Sequence, residues 1–227
     1  MIIIEKWRSL KRLHKFVHDL YNANIFEKEK ANAFRHYNPN NYINIITNIP
    51  QASLNKLVHV DGYSYGELNV CSFIEVNEAG LYIGKFCSIA RGNKFLLSGG
   101  HDYLRPTTYP FKHFFLHQGE SVSKGPITLE DDVWMGENVT VLSGVTLRRG
   151  TVVAAGSVVT SSSEPYSIIG GVPAKHIKYR FSKHIIEKLS TIDYSKLTPE
   201  KIKENMDVLY EQVTEENVDN IVSILNS

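Results

Sequence analysis

Three histidines fall within one aromatic segment of the chain, residues 97–126. They are His101, His113 and His117. An imidazole can take a proton from a hydroxyl near neutral pH, and it is also a common metal ligand. No cysteine or carboxylate completes a ligand set at a typical spacing, so the pattern predicts no zinc site. For His113 and His117 we expect surface or interface positions.

Three tyrosines are candidates for binding an acceptor molecule. They are Tyr63 and Tyr65 in the stretch DGYSYG, and Tyr109 in the histidine-containing segment. An aromatic ring can stack on the apolar face of a pyranose, but the same ring suits a flat drug or the packing of an interface. The residues alone leave these alternatives open.

A six-residue repeat between residues 127 and 162 sets the elements that position these side chains. Large aliphatic residues recur at every sixth place: Leu129, Met135, Val141, Leu147, Val153 and Val159. Branched or small residues follow four places later: Val133, Val139, Val145, Thr151 and Ser157. Such a short fixed period predicts a parallel β-helix, in which each six forms one face of a triangular coil. We expect the first column to fill the interior and the second to occupy the corners.

The same period continues upstream and is then interrupted. Ile83, Ile89 and Phe95 follow the six-residue interval, with Gly84 and Cys87 in the small positions, and residues 58–76 suggest irregular coils. Residues 97–126 break the period, and long excursions of this kind from a compact solenoid usually carry function. Because the excursion is so aromatic, we expect it to pack over an adjacent subunit or a substrate.

The two ends of the chain differ from the repeat. Ile3, Trp7 and Leu10 begin an amphipathic helix with basic residues around them. We expect this helix to pack on the domain or on a neighbouring subunit, and membrane contact is possible only through it. The predicted domain organisation is an N-terminal helical or irregular segment over 1–57 and a β-helix with its excursion over 58–169. An exit loop and C-terminal helices over 170–227 complete it.

The C-terminal segment carries strong breakers and helix starts. Gly170, Gly171 and Pro173 predict an interruption without regular helix or strand. Helices are expected over 182–191, from Thr198 as N-cap, and from Thr214 as N-cap. We expect these helices to act as a lid or a subunit-packing arm.

Composition excludes several classes of protein. The chain has 227 residues, 42% of them hydrophobic, which suits one or two globular domains. A formal net charge of +1 gives no field that would indicate nucleic acid as a partner. Cys71 and Cys87 form neither a close pair nor a framework, and we find no pattern of a signal peptide or membrane span. We therefore expect a cytoplasmic protein.

Five stretches together resemble a known family. They are HDYLRPTTYPF, SKGPI, DDVWMGENVTVLSGVT, VVAAGSVVT and IIGGVPAKHIKYRF. They are similar to the hexapeptide-repeat acyltransferases of the xenobiotic acetyltransferase group, which includes chloramphenicol and streptogramin acetyltransferases and O-acetyltransferases of capsule and O-antigen sugars. The likeness covers about residues 58–181 and looks closest to the polysaccharide and sugar branch.

The resemblance implies a left-handed parallel β-helix, assembled as homotrimers with active sites between neighbouring subunits. It also implies acetyl transfer from acetyl-CoA to a hydroxyl of a sugar or polysaccharide, without a covalent acyl-enzyme. Alternatives are an antibiotic O-acetyltransferase, an N-acetyltransferase acting on a nucleotide-linked amino sugar, and a scaffold that has lost catalysis.

The resemblance also assigns roles to residues. His101 matches the catalytic histidine, which acts as general base and needs an acceptor, a carbonyl or a carboxylate, for its other ring nitrogen. Asp102 is its neighbour in sequence. The positions that match the acetyl-CoA site are Trp134, Gly136, Ala154, Ala155, Thr160, Pro173, Lys175, Lys178 and Arg180. Arg148 and Arg149 depart from the family pattern, and we expect a solvated corner there, with contact to CoA phosphates or to a neighbouring subunit as the alternatives.

Overall fold

Short parallel strands dominate the computed structural model, which describes residues 2–72 and 80–227, with side chains from residue 14 onward except 16 and 24. The helices are α1 (Ile2–Tyr37), α2 (Gln51–Leu57), α3 (Phe111–Leu116), α4 (Lys183–Leu189), α5 (Pro199–Glu204), α6 (Met206–Tyr210) and α7 (Val218–Asn226). A 3₁₀ turn covers Tyr194–Lys196.

The strands follow the chain in this order: β1 (Tyr42–Thr47), β2 (Val58–Val60), β3 (Tyr65–Cys71), β4 (Leu81–Ile83), β5 (Ser88–Ile89), β6 (Lys94–Leu96), β7 (Ile127–Leu129), β8 (Trp134–Met135), β9 (Thr140–Leu142), β10 (Thr146–Leu147), β11 (Val152–Val153), β12 (Val158–Val159), β13 (Ser167–Gly171) and β14 (Ala174–Tyr179). Their pairings define three faces of a coil. The first face stacks β2, β4, β7 and β10. The second stacks the start of β3 with β5, β8, β11 and β13, and the third stacks the end of β3 with β6, β9 and β12.

The register of the strands confirms the six-residue period. Leu129 lies beside Leu147, which is three sixes later in the chain. Met135 pairs in the same way with Val153, and Val141 with Val159. One turn of the coil is therefore three repeats, one for each face.

The two predicted columns have the predicted burial. Every member of the aliphatic column is at most 1% exposed, and every corner residue is at most 2% exposed. Ile83, Ile89, Phe95 and Cys87 are also buried. Burial raises the pKa of the Cys87 thiol to about 12. The prediction of a parallel β-helix is confirmed in its repeat, its parallel pairing and its interior. Its handedness stays a prediction from the family resemblance.

The solenoid begins earlier than the predicted boundary at residue 58. Strand β1 pairs in parallel with β3, and Ile43 and Ile46 are fully buried in the main core. Phe34, near the end of α1, is buried in the same core. The sequence did not predict this strand, because it is not followed by a second six-residue repeat that would show the period.

The predicted N-terminal helix is present as α1, and most of its predicted apolar residues lie outside the described side chains. Val17 and Leu20, which the structure describes, are each 55% exposed. No other described part of the chain covers these two side chains, whereas Phe34, at the other end of the helix, is fully buried.

The predicted exit loop at residue 170 is wrong, because β13 and β14 form an antiparallel hairpin there. Gly171 pairs with Ala174, so Val172 and Pro173 are the two loop residues. A proline in that position has no ladder N–H to lose, which is why it does not prevent the hairpin. Gly171 has a φ of +100°, a conformation that glycine accepts without a steric penalty.

The C-terminal helices agree with the prediction in kind and differ at one boundary. Thr198 caps α5 by accepting from the Lys201 N–H, as expected. The last helix starts at Val218 rather than after Thr214, because the Asn217 side chain accepts from the Thr214 N–H at 2.7 Å and closes a turn first. These segments have a core of their own: Tyr166, Ile185, Leu189, Ile192, Leu197, Val218, Ile221 and Leu225.

Three consecutive carboxylates each pair with a different arginine. The pairs are Glu130 with Arg148 at 3.3 Å, Asp131 with Arg149 at 3.1 Å, and Asp132 with Arg180 at 3.1 Å. Arg149 also donates to the backbone carbonyls of Ser190 and Ile192, at 3.0 and 2.7 Å. The expected solvated corner is therefore wrong for Arg149, whose side chain is 23% exposed and ties the C-terminal helices to the coil.

Gly136 has a steric role within the coil. A Cβ at this position would lie 2.7 Å from the Ala155 backbone nitrogen and 3.0 Å from its Cα. We expect Gly136→Ala to lower the free energy of unfolding by about 1–3 kcal/mol, because neighbouring coils must separate. Urea unfolding at a fixed protein concentration measures the loss. Gly62→Ala is the control, since its Cβ would meet only Asn40 at 3.7 Å, and equal losses in both variants would contradict the explanation.

Candidate active site

The excursion is closed at its base, immediately before His101. Gly100 and Val122 form an antiparallel bridge with N···O distances of 3.1 and 2.7 Å. The Gly99 N–H donates to the Ser121 hydroxyl at 2.7 Å. His101 is thus the first residue beyond a backbone clamp, which fixes where its side chain starts.

The His101 ring is oriented by a backbone carbonyl. Its Nδ1 lies 2.5 Å from the Thr108 oxygen. A carbonyl oxygen can only accept, so Nδ1 carries the proton and Nε2 of the neutral ring keeps a free lone pair. The Asp102 carboxylate is engaged elsewhere, with the Leu104 N–H at 3.1 Å and the Arg105 Nε at 3.2 Å. The acceptor that the sequence left open is therefore the Thr108 carbonyl.

Glu120 braces the excursion from inside. Its carboxylate accepts from Arg105 Nη1 at 2.8 Å and from the Lys112 N–H at 2.9 Å, and its side chain is 8% exposed. Desolvation acts to raise the pKa of Glu120, but the hydrogen bonds from the Lys112 and His113 N–H groups and from Arg105 outweigh it and lower the pKa. Sequence reasoning missed this residue, since a single loop glutamate has no spacing by which to recognise it.

A cavity of about 650 Å³ opens beside His101. Its lining residues are Gly99, His101, Pro110, His113, Phe114, His117, Gln118, Gly119, Glu120 and Ser121. Tyr109 stacks on Phe114 with ring centroids 5.4 Å apart, and it lines a smaller recess together with His101. Phe114 is 57% and Phe115 69% exposed in the single chain, so the expected cover over these aromatics stays a prediction.

The predicted acetyl-CoA residues of the second face lie away from this cavity lining. Trp134 is 57% exposed and sits between Ser88 and Val152 of the adjacent strands. The Ala154 N–H donates to the Ile169 carbonyl at 2.9 Å, and the Ala154 carbonyl accepts from a serine hydroxyl at 2.6 Å. The first of these bonds joins adjacent coils, so the Ala154 amide proton is not available to a ligand.

Gly136 and Ala155 complete that part of the face. Gly136 packs against the Ala155 backbone, as described above. Ala155 is exposed, and its N–H donates to no group within the described residues. Of the two alanines, only Ala155 therefore offers a free amide proton.

At the basic end of the predicted acetyl-CoA site, some side chains are free to bind a ligand and one is already paired within the chain. Lys175 and Lys178 are exposed on β14 and have no ion-pair partner in the described part of the chain. Thr160 and Pro173 are also exposed. Arg180, in contrast, pairs with Asp132 and donates to the Gly150 carbonyl at 2.8 Å. Its guanidinium therefore has a structural role at the base of the hairpin.

The structure does not bring the three candidate tyrosines together. Tyr63 stacks on Phe86 at 5.2 Å, and Phe86 also contacts Tyr194 of the C-terminal segment at 5.8 Å. This arrangement is packing between segments. Tyr65 is 52% exposed on the second face, and Tyr109 alone lies beside His101.

Two kinds of site are absent from the residues that the structure describes. No group of three or more histidine, cysteine, aspartate or glutamate side chains within 2–72 and 80–227 is arranged to hold a metal ion. Over the same ranges, no helix has the length and apolar character that crossing a membrane requires.

The repeat, the parallel coils and the excursion define a hexapeptide-repeat protein. The family description "Hexapeptide repeat of succinyl-transferase" matches residues 126–161. Over 138 residues the chain is 40% identical to a probable macrolide acetyltransferase of Lysinibacillus sphaericus, covering 57% of this chain and 76% of that protein. It is 36% identical to a chloramphenicol acetyltransferase of Klebsiella aerogenes, covering 57% of this chain and 65% of that protein.

Among solved structures, a hexapeptide-repeat acetyltransferase from Vibrio cholerae is 26% identical, with a TM-score of 0.48 over 69% of this chain and 82% of that chain. The sequence relatives establish the family. The chain belongs to the hexapeptide-repeat acetyltransferases, enzymes that use acetyl-CoA as co-substrate.

Proposed function

We propose that the protein transfers the acetyl group of acetyl-CoA to a hydroxyl of a sugar or polysaccharide, with His101 as general base. The observation that carries the proposal is the hydrogen bond from His101 Nδ1 to the Thr108 carbonyl. It fixes the tautomer whose Nε2 can accept a proton, at the edge of a cavity large enough for a sugar.

The transfer balances with one imidazole. As the acceptor oxygen bonds to the thioester carbonyl carbon, Nε2 takes the hydroxyl proton. When the carbon–sulfur bond breaks, the same nitrogen returns that proton to the sulfur, which leaves as the CoA thiol. The imidazole ends neutral, and the products are an acetyl ester and free CoA. The Thr108 carbonyl stabilises the cationic ring in between, since it accepts from Nδ1 throughout.

Acetyl-CoA is proposed to lie along the second face. Trp134 would border its acyl end, and the free Ala155 N–H would donate to an amide carbonyl of the pantetheine arm. Lys175 and Lys178 would meet phosphates, with Thr160 and Pro173 beside them. We leave Ala154 and Arg180 out of direct contact, because both are already bonded within the chain.

A second subunit would join the two halves of this site. Within the single chain, the exposed Trp134 does not line the cavity beside His101. We propose a homotrimer of left-handed coils in which the excursion of one subunit faces the second face of its neighbour. This arrangement would also cover the exposed aromatics of the excursion. A cytoplasmic location would supply acetyl-CoA and keep Cys71 and Cys87 reduced.

An antibiotic is the second candidate acceptor. The names of the relatives favour it, since the proteins compared above are named for macrolide and chloramphenicol acetylation. An amino sugar is a further alternative, and an amine needs less help from a base than a hydroxyl does. A scaffold without activity would keep the coil but would not need the oriented imidazole.

Release of the CoA thiol tests the proposal. The purified protein is incubated with acetyl-CoA and, in separate reactions, a neutral sugar, an acidic sugar, an amino sugar, erythromycin and chloramphenicol. We expect acceptor-dependent thiol release, with the mass of the product showing one added acetyl group on oxygen. Release with antibiotics alone would replace the sugar by the second candidate. No release with any acceptor would support the scaffold.

A further inference from the structure

Two more imidazoles line the cavity beside His101, and the proposed proton transfer uses neither. His113 belongs to α3, His117 follows four positions later at its C-terminal end, and both line the same cavity. Both are exposed, and neither ring has a hydrogen-bond partner among the described residues. His113 contacts the Phe114 ring edge to face at 4.9 Å. Two unpaired imidazoles in one wall can bind a ligand.

Among the residues that the structure describes, the cavity wall contains one carboxylate, and its oxygens are already occupied. Oε1 of Glu120 accepts from Arg105 and Oε2 from the Lys112 N–H. These bonds lower the pKa of Glu120 against the effect of desolvation, so the group stays ionised and neutralised from within the chain. A cationic acceptor, such as an amino sugar or a macrolide with its basic amine, finds no free carboxylate among the described residues of this wall.

The other polar groups of the wall add hydrogen-bond donors. The Ser121 hydroxyl oxygen accepts from the Gly99 N–H, so its own hydrogen remains to be donated. The Gln118 side chain carries an amide NH₂. With the two imidazoles, these groups give the described wall several hydrogen-bond donors beside a carboxylate that is already occupied, an arrangement that suits an oxygen-rich anion.

We propose that this cavity selects acceptors that carry an anionic group, a carboxylate or a phosphate, and that His113 and His117 bind that group. The inference rests on the proposed function and deepens it, because it names the class of sugar. The other titratable groups that face these rings are His101 and Glu120, the latter backed by Arg105.

A matched pair of acceptors isolates the anion. Methyl glucuronide and methyl glucoside share the ring and its secondary hydroxyls and differ only at carbon 6, where a carboxylate replaces a hydroxymethyl group. Glucose 1-phosphate supplies a phosphate instead. The ratio of kcat/KM between the two methyl glycosides cancels the contribution of His101, which both reactions share. We expect a ratio of about tenfold or more at pH 6, the factor that one charge-assisted hydrogen bond gives. The phosphate arm shows which anion fits better.

Substitutions assign the preference to the two rings. His113→Ala and His117→Ala are each expected to lower the glucuronide-to-glucoside ratio about tenfold at pH 6. His113→Gln and His117→Gln keep a hydrogen-bond donor at each position, so each should lose clearly less of the ratio than the corresponding alanine variant. Unchanged thermal unfolding of each variant shows that the excursion has not collapsed.

The outcomes separate this inference from the proposed function. Thiol release with methyl glucoside or chloramphenicol but no preference for either anion would overturn the selection and leave the acetyl transfer standing. If no acceptor releases thiol, calorimetry of methyl glucuronide against the His101→Ala protein still decides. Binding at pH 6 that weakens about tenfold on adding His117→Ala supports the anion site, and equal or absent binding overturns it.

Discussion

Replacing His101 by alanine is expected to lower kcat about 10²–10⁴-fold, because the acceptor hydroxyl then loses the base that removes its proton. The KM for acetyl-CoA should change little, since the ring does not lie in the proposed acetyl-CoA site. Steady-state thiol release measures both constants.

Asp102→Asn is the informative control for this prediction. If the neighbouring carboxylate oriented the imidazole, its loss would approach that of His101→Ala. Because the structure assigns that role to the Thr108 carbonyl and turns Asp102 toward Leu104 and Arg105, we expect a loss of less than about tenfold. A His101→Ala effect below tenfold would remove the general base from the mechanism.

Replacing Phe95 by alanine is expected to cost about 3–5 kcal/mol of the free energy of unfolding. Phe95 is fully buried on the third face, where it stacks between Val70 and Val141 of adjacent coils. Its removal leaves a cavity in a column that cannot close without shifting a whole strand. For a chain of this size the loss corresponds to a fall in Tm of about 6–20 °C.

Two variants bracket that result. Phe95→Leu keeps most of the buried volume and should lose clearly less than Phe95→Ala. Lys94→Ala changes an exposed side chain of the same strand and should stay within about 0.5 kcal/mol of the parent. Thermal and urea unfolding are compared at one protein concentration, because association would add to the apparent stability. A Phe95→Ala loss no larger than that of Lys94→Ala would show that the interior assignment is wrong.

The interior of the coil could be predicted because each of its residues repeats the same environment. Leu129, Met135 and Val141 need only a hydrophobic column at a fixed interval, and six successive sixes specify it. Strand β1 lacks such a repeat, and its single in-and-out pattern around Ile43 and Ile46 cannot be told from a loop. Pro173 was misleading for another reason, since its effect depends on whether its missing N–H falls in a ladder or in a hairpin loop.

The candidate site was predictable in part. Sequence similarity indicated which histidine to consider, but the Thr108 carbonyl that orients it belongs to the backbone and has no residue type to read. Arg149 shows the same limit. Its charge suggested solvent or a phosphate, and only the folded chain brings the carbonyls of Ser190 and Ile192 to it.

The run of carboxylates from Glu130 to Asp132 affects how neighbouring coils find their native register during folding. Neighbouring coils are so alike that a slip of six residues would still place an aliphatic side chain inside, and the interior alone would not reject it. Such a slip would set Glu130 and Asp131 against Ala154 and Ala155, or against Leu142 and Ser143, in place of Arg148 and Arg149. Charge pairing on the outside of the coil therefore favours the native alignment over a six-residue slip, which hydrophobic burial alone does not disfavour.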